Sequence, residues 1–248
     1  MDIHDVGANS PSFLPFRQQQ KMEFTMNSDR ERFTIQVEEA LLGHNVAAAA
    51  MNRKWFAQAG VKAINIVSSP GSGKTSLLER TLTDLQDQLK IGVMVGDLQT
   101  DNDAQRLRGK GAPVVQITTG TYCHLEAEMV ASALKPIHLD ELDLLIIENV
   151  GNLVCPASYD LGESIRVTLI SVTEGEDKPL KYPPLFHTAD MVLITKTDLA
   201  EAVELNIELL RANIRTAAPR AKIIELSAKT GAGMNQWYEA LDRLVHLG

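Results

Sequence analysis

The stretch "IVSSPGSGKTSLL", residues 66–78, decides the fold. An apolar run ends at Ser68, Pro and Gly crowd the next positions, and Lys74-Thr75 then opens a leucine-bearing segment. A strand, a glycine-rich turn and a helix in that order build a phosphate loop. Gly71 and Gly73 let the backbone approach an anion, so that successive N–H groups and the helix N-terminus point at it. Lys74 is placed to neutralise β- and γ-phosphates, and the Thr75 hydroxyl to bind Mg²⁺. The loop also contributes Ser72 and Ser76. The full motif carries Gly where this chain has Ser68.

Around the loop, apolar runs alternate with helical patterns. Strands are expected at 63–67, 91–95, 113–118, 142–147, 165–172, 191–195 and 222–226, with helices at 75–89, 125–134, 201–217 and 233–247. Runs that are apolar throughout suit strands buried on both faces, so we expect an α/β fold with a mostly parallel sheet flanked by helices. Residues 1–28 read as a disordered arm and 29–248 as one P-loop domain with a leading helix over 29–59. That helix shows an apolar stripe at Ile35, Leu41, Leu42, Val46 and Phe56, with Gly60 as C-cap.

The 248 residues are 44% hydrophobic and 23% charged, as in ordinary globular proteins, and the net charge of −8 disfavours a broad nucleic-acid or lipid-binding surface. No apolar run approaches the ~20 residues of a membrane span, and no signal-peptide pattern opens the chain. A cytoplasmic protein with neither nucleic-acid nor membrane partners is expected. With two cysteines in all, a structural disulfide is not.

Two later segments address the base. "LITKTDL" (193–199) and "ELSAKTGAG" (225–233) each follow a strand and are similar to the guanine-recognition motifs of GTPases, Asn-Lys-x-Asp and Ser-Ala-Lys. Asp198 can accept from guanine N1–H and the 2-amino group, donors that adenine lacks; leaving a buried carboxylate unpaired costs about 1–3 kcal/mol or more. Lys196 would lie along the base, with Ser227, Ala228 and Lys229 presenting the second motif and backbone N–H near O6. Position 195 is Thr where the motif has Asn.

On the phosphate side, "LLIIENVGN" (144–152) ends a strand with Glu148 and places Gly151 three residues on, in the manner of Asp-x-x-Gly. Glu148 can hold Mg²⁺ directly or through water, and Gly151 N–H can meet the γ-phosphate. Asp97, Asp101 and Asp103 follow another strand; since Mg²⁺ takes only one or two carboxylates, Asp101 is read as a helix cap instead. Lys74, Asp97 and Glu148 are the candidate catalytic residues. No Gln is placed to orient an attacking water, which implies slow intrinsic hydrolysis.

A separate constellation holds both cysteines. Cys123-His124 precedes a helix, and Cys155 lies seven residues after Glu148. Thiolate and imidazole suit Zn²⁺ or Ni²⁺, although two buried thiols packed as small hydrophobes is the plain alternative. One chain supplies three soft ligands, and two chains about a two-fold axis could complete a site.

Six stretches together resemble the HypB family of GTPases, which assist nickel insertion into [NiFe]-hydrogenase: "PGSGKT" (70–75), "GDLQTDNDA" (96–104), "TGTYCHLEA" (119–127), "ENVGNLVCPASYDLGE" (148–163), "SVTEGEDKPLKYP" (171–183) and "PRAKIIELSAKTG" (219–231). The resemblance covers roughly 31–246. It implies a SIMIBI-type GTPase that dimerises with GTP. It also implies an interfacial Ni²⁺ or Zn²⁺ site at Cys123, His124 and Cys155, and Mg²⁺ or switch acids at Asp97, Asp103 and Glu148. The partners implied are a HypA-like metallochaperone and the hydrogenase large-subunit precursor. Some members carry an N-terminal Cys- or His-rich nickel motif, and this sequence has neither. The competing readings are a UreG-like urease factor, whose motif is Cys-x-His where this chain has Cys and His adjacent, a nucleotide-gated module that handles no metal, and a metabolic P-loop kinase.

Overall fold

The computed structural model describes residues 42–247. The expected arm and the first part of the leading helix lie outside the described residues. Helix α1 occupies 42–59 and closes at Gly60 as expected, with Val61 N–H reaching back to Phe56 O. Strand β1 (Lys62–Ser68) leads through the phosphate loop into α2 (Lys74–Leu85). Then follow β2 (Ile91–Asp97), α3 (Asn102–Leu107), β3 (Val114–Thr118), α4 (Ala127–Ala133), β4 (Leu144–Glu148) and β5 (Ile165–Ser171). The chain continues with α5 (Lys178–Lys181), α6 (Pro183–His187), β6 (Met191–Thr195), α7 (Ile207–Ala217), β7 (Lys222–Glu225) and α8 (Met234–Leu247).

Among the described residues the seven strands form one sheet in the order β3-β2-β4-β1-β5-β6-β7, every pairing parallel. The alternation of side chains sorts the two faces. Ile64, Ile66, Leu144, Ile146 and Leu193 pack on one face against α2, α3 and α8, around Leu78, Leu107 and the fully buried Trp237. On the other, Ala63, Leu145 and Ile147 meet α1 and α4, while Val67, Val192 and Ile194 meet α6 and α7. Helices on both faces make β4 (LLIIE) and β6 (MVLIT) read as nearly continuous apolar runs, while edge strand β3 (VVQIT) is only partly buried.

Strand order reverses at β1, which has β4 on one side and β5 on the other, and the C-terminal strand ends there form the crevice where ligands bind in open α/β sheets. Register fixes what meets in it. Ile66 pairs with Glu148, and Ser171 with Thr195.

Several expectations change. Of the expected stripe on α1, Phe56 is buried, Leu42 and Val46 are exposed at 37% and 61%, and Ile35 and Leu41 lie outside the described residues. The buried face reaches Phe56 through Asn45, Ala49 and Asn52. Its polar members were not visible as core because their partners are distant: Asn52 Nδ2 donates to Ala127 O and Leu161 O at 2.8 and 3.0 Å, and Asn45 pairs with Asp160 O and Ala127 N. Helix α7 begins at Ile207, not 201, because the Asn206 side chain caps Leu209 N–H. Helix α4 begins after Leu125, whose N–H goes to Asn149 Oδ1. The Asp-rich segment after β2 contains α3, anchored by buried Ala104 and Leu107. Asp101 occupies its N-cap position, but its carboxylate binds Gln105 and Arg108 and caps nothing.

Candidate nucleotide and metal site

The phosphate loop has the conformation its glycines permit. Gly71 and Gly73 adopt φ of 76° and 96°, in the left-handed region where a Cβ is strained. Ser68 departs from the glycine pattern without strain because it is still the last residue of β1; its hydroxyl, fully buried, accepts Lys74 Nζ at 2.9 Å and donates to Ser69 O. Burial pulls the Lys74 ammonium below its usual value, against the raising influence of Glu148, Asp103, Glu174 and Asp97.

The acids gather as expected. Gly71, Gly73, Lys74, Thr75, Ser76, Asp97, Asp103, Glu148, Gly151 and Lys196 line one cavity of about 410 Å³, and Arg106 completes its rim. Thr75 Oγ1 donates to Glu148 Oε1 at 2.8 Å. Glu148 Oε2 is buried with no hydrogen-bond partner among the described residues. Burial pushes the Glu148 carboxyl up to about 7 despite nearby Lys74. A buried hydroxyl beside an orphaned carboxylate oxygen, with Asp97 and Asp103 on the same cavity, is an all-oxygen donor set that fits Mg²⁺. Asp97 is partly engaged already, since its Oδ1 accepts from Gln99 N and Thr100 N. Ser76 faces Arg106 Nη2 at 3.2 Å.

The base motifs meet next to this cavity. Gly73, Thr195, Lys196, Asp198, Ser227, Ala228 and Lys229 line a second, mostly apolar cavity of about 210 Å³. Ser227 Oγ donates to Asp198 Oδ1 at 2.6 Å and holds that carboxylate at the cavity. Lys196 is left-handed, φ 56°, and its Nζ reaches Gly71 O at 2.6 Å. Thr195, standing where the motif has Asn, donates through Oγ1 to Ser72 O at 2.6 Å and braces the phosphate loop.

The soft ligands also converge. Among the described residues, one group suited to a metal is Cys123, His124 and Cys155, whose ligand atoms all lie within 4.8 Å of one another. Both cysteines are free thiols, with sulfurs 2.9 Å apart, and His124 Nδ1 stands 3.9 Å from Cys123 Sγ. The imidazole stacks on Tyr159 at 3.9 Å between centroids, and its buried Nε2 lies 3.5 Å from Glu126 without a hydrogen bond. Burial lowers the His124 pKa, leaving the neutral form that binds metals. The Cys123 sulfur and, second, burial push the Cys155 thiol up.

Asparagines tie the two centres together, and sequence reasoning missed them. Asn149, next to Glu148, accepts Leu125 N–H beside His124, and Asn152 Nδ2 donates to Cys123 O at 3.2 Å. It also missed Glu174, whose carboxylate takes hydroxyls of Ser69 and Ser72 in the phosphate loop. The Ser171…Glu174 spacing signals the cap at that strand end, but not the contact with a loop a hundred residues earlier.

A parallel sheet with this loop at the end of β1 defines an α/β P-loop nucleotide-binding protein, and no helix among the described residues is long and apolar enough to cross a membrane. The family profile described as "CobW/HypB/UreG, nucleotide-binding domain" matches residues 62–225. The hydrogenase maturation factor HypB of Rhizobium leguminosarum bv. viciae is 51% identical over 208 residues, which are 84% of this chain and 70% of that protein. The crystal structure of HypB from Archaeoglobus fulgidus superposes with a TM-score of 0.78 at 43% identity, covering 82% of this chain and 100% of that one. HypB from Helicobacter pylori in complex with nickel gives 0.77, also at 43% identity, over 81% and 95%. This chain belongs to the HypB family of hydrogenase maturation factors.

Proposed function

We propose that the protein binds and slowly hydrolyses GTP and uses the nucleotide state to control nickel handling during [NiFe]-hydrogenase maturation. Lys74 and the loop N–H groups bind the phosphates, Gly151 N–H meets the γ-phosphate, and Asp198 with Lys196 selects guanine. Thr75, Glu148, Asp97 and Asp103 would hold Mg²⁺, which when bound supplies neutralising charge beside the phosphates. Cys123, His124 and Cys155 take Ni²⁺ as cargo, or Zn²⁺, with ligands shared across a GTP-dependent homodimer. The partners are a HypA-like metallochaperone and the hydrogenase large-subunit precursor, in the cytoplasm.

The observation that carries this reading is the short physical path between the centres. Cys155 lies seven residues after Glu148, and between them Asn149 and Asn152 bond to the loop from β3 to α4 that carries Cys123-His124. A shift at the phosphate end therefore moves ligand-bearing backbone. The test is Ni²⁺ and Zn²⁺ stoichiometry and affinity with GDP and with a non-hydrolysable GTP analogue, read with molecular mass. One metal per dimer in the GTP state, altered by GDP, supports the coupled machine. Metal binding that is absent or indifferent to nucleotide leaves a nucleotide-gated module with packed thiols.

A further inference from the structure

Glu174 closes the short turn Val172–Glu174 that follows β5, where Oε1 accepts Ser171 N–H at 2.9 Å. The same carboxylate extends across to the phosphate loop. Ser69 Oγ donates to Oε2, and Ser72 Oγ donates to Oε1 at 2.7 Å. The two hydroxyls lie 2.7 Å from each other, and Ser72 Oγ is also 2.9 Å from Ser69 O. Each hydroxyl has one proton to give. A carboxylate forms roughly twice as strong a bond as a neutral acceptor, so both protons go to Glu174. Both serines are buried, at 7% and 0% exposure, so water does not compete for these bonds.

The consequence concerns the loop's other side. With Ser69 and Ser72 committed to the carboxylate, the loop presents backbone N–H groups to an anion and withholds these two hydroxyls. A glycine-rich loop free to sample many conformations would lose that freedom on binding, and holding it beforehand reduces the cost. Proline at 70 stiffens it further.

We propose that Glu174 is a positioning residue for the nucleotide. Through Ser69 and Ser72 it holds the phosphate loop in its binding conformation from the face away from the phosphates. This rests on the GTP reading above. Its chemistry predicts opposite behaviour for two substitutions. Glu174→Gln keeps hydrogen-bonding groups for both serines and removes a negative charge near the phosphates. Glu174→Ala removes the hold itself.

The experiment is the affinity of the full chain for a fluorescent GDP and GTP analogue with Mg²⁺. It compares wild type with Glu174→Gln, Glu174→Ala, Ser69→Ala and the Ser69→Ala/Glu174→Ala double variant. We expect Glu174→Ala and Ser69→Ala each to weaken binding about tenfold, the double variant to be no worse than either, and Glu174→Gln to match or exceed wild type. Ser69→Ala leaves the turn after β5 intact, so it decides the matter if Glu174→Ala fails to fold. Wild-type affinity in Ser69→Ala, or a loss in Glu174→Gln as large as in Glu174→Ala, overturns the role of Glu174. A wild-type protein that binds no guanine nucleotide overturns the GTP reading instead.

Discussion

The Thr195 hydroxyl donates to the carbonyl of Ser72 at 2.6 Å, tying the end of β6 to the middle of the phosphate loop. Both residues are buried, so deleting the donor strands a carbonyl away from water. Thr195→Val, which keeps the shape, should destabilise the protein by about 1–3 kcal/mol and weaken nucleotide binding. Thr195→Asn, which restores a donor, should retain most of the affinity. Thermal unfolding and nucleotide titration of both variants check this; equal losses in the two would defeat the brace.

Asp198 faces the smaller cavity with Ser227 on its Oδ1. Asp198→Asn turns an acceptor edge partly into a donor. GTP affinity should fall by about a hundredfold while xanthosine triphosphate, which offers an acceptor at that position, should gain. Competition between the two nucleotides measures it, and an unchanged preference for GTP removes Asp198 from the base site.

Glu148 gives the nucleotide-free protein a pH signature. Its carboxyl, raised to about 7 by burial, favours the protonated form when folded. That contribution is fully present below the ordinary carboxylate range near 4.5 and is lost as pH rises through 7. It amounts to about 3 kcal/mol. Melting temperature should fall across that window in wild type and be flatter in Glu148→Gln. Mg²⁺-nucleotide binding near pH 7 should then release a proton, visible as a buffer-dependent heat in calorimetry. No release, with no change of slope in the variant, would show that Glu148 ionises normally.

Nickel affinity should rise with pH. His124 is neutral at pH 7 because burial lowers its pKa, so the protons to be displaced belong to the thiols, with Cys155 pushed up by its neighbour. Asn152→Ala spares all three ligands but frees the backbone at Cys123, and should cost about tenfold in metal affinity. Competition against a chromophoric chelator measures both effects; a flat pH profile would remove the thiols from the ligand set.

Asn52 on α1 bridges Ala127 O and Leu161 O from a buried position. Asn52→Leu should cost about 2 kcal/mol by stranding both carbonyls, with nucleotide affinity unchanged. Denaturant unfolding tests it, and a variant as stable as wild type would show that α1 packs by shape alone.

How legible all this was in sequence depended on whether the signal was local. The central strands were readable because both faces are covered, so that β4 and β6 are buried throughout and mostly apolar. The phosphate loop, Asp198 and the Cys123-His124 pair were readable because their chemistry fixes short spacings. What escaped depends on partners far along the chain. Asn52 looked polar and is core, because its acceptors come from residues 127 and 161. Val46 looked like core and is 61% exposed. Glu174 carries no local signal for its role, because its serines lie about a hundred residues earlier. Thr195 departs from the motif's Asn, and the acceptor of its hydroxyl, Ser72 O, lies more than a hundred residues earlier.

Gly151 stands so close to the phosphate loop that a Cβ there would lie 3.0 Å from the Pro70 backbone. At that point the glycine-rich loop and the segment that runs on to Cys155 have no room for a side chain between them. Under the proposed function, coupling through such a contact acts equally in both directions. The factor by which nucleotide changes nickel affinity is, by thermodynamic necessity, the factor by which nickel changes nucleotide affinity. On that proposal the metal is an effector of the switch as well as its cargo, and nickel concentration shifts how tightly each nucleotide is held.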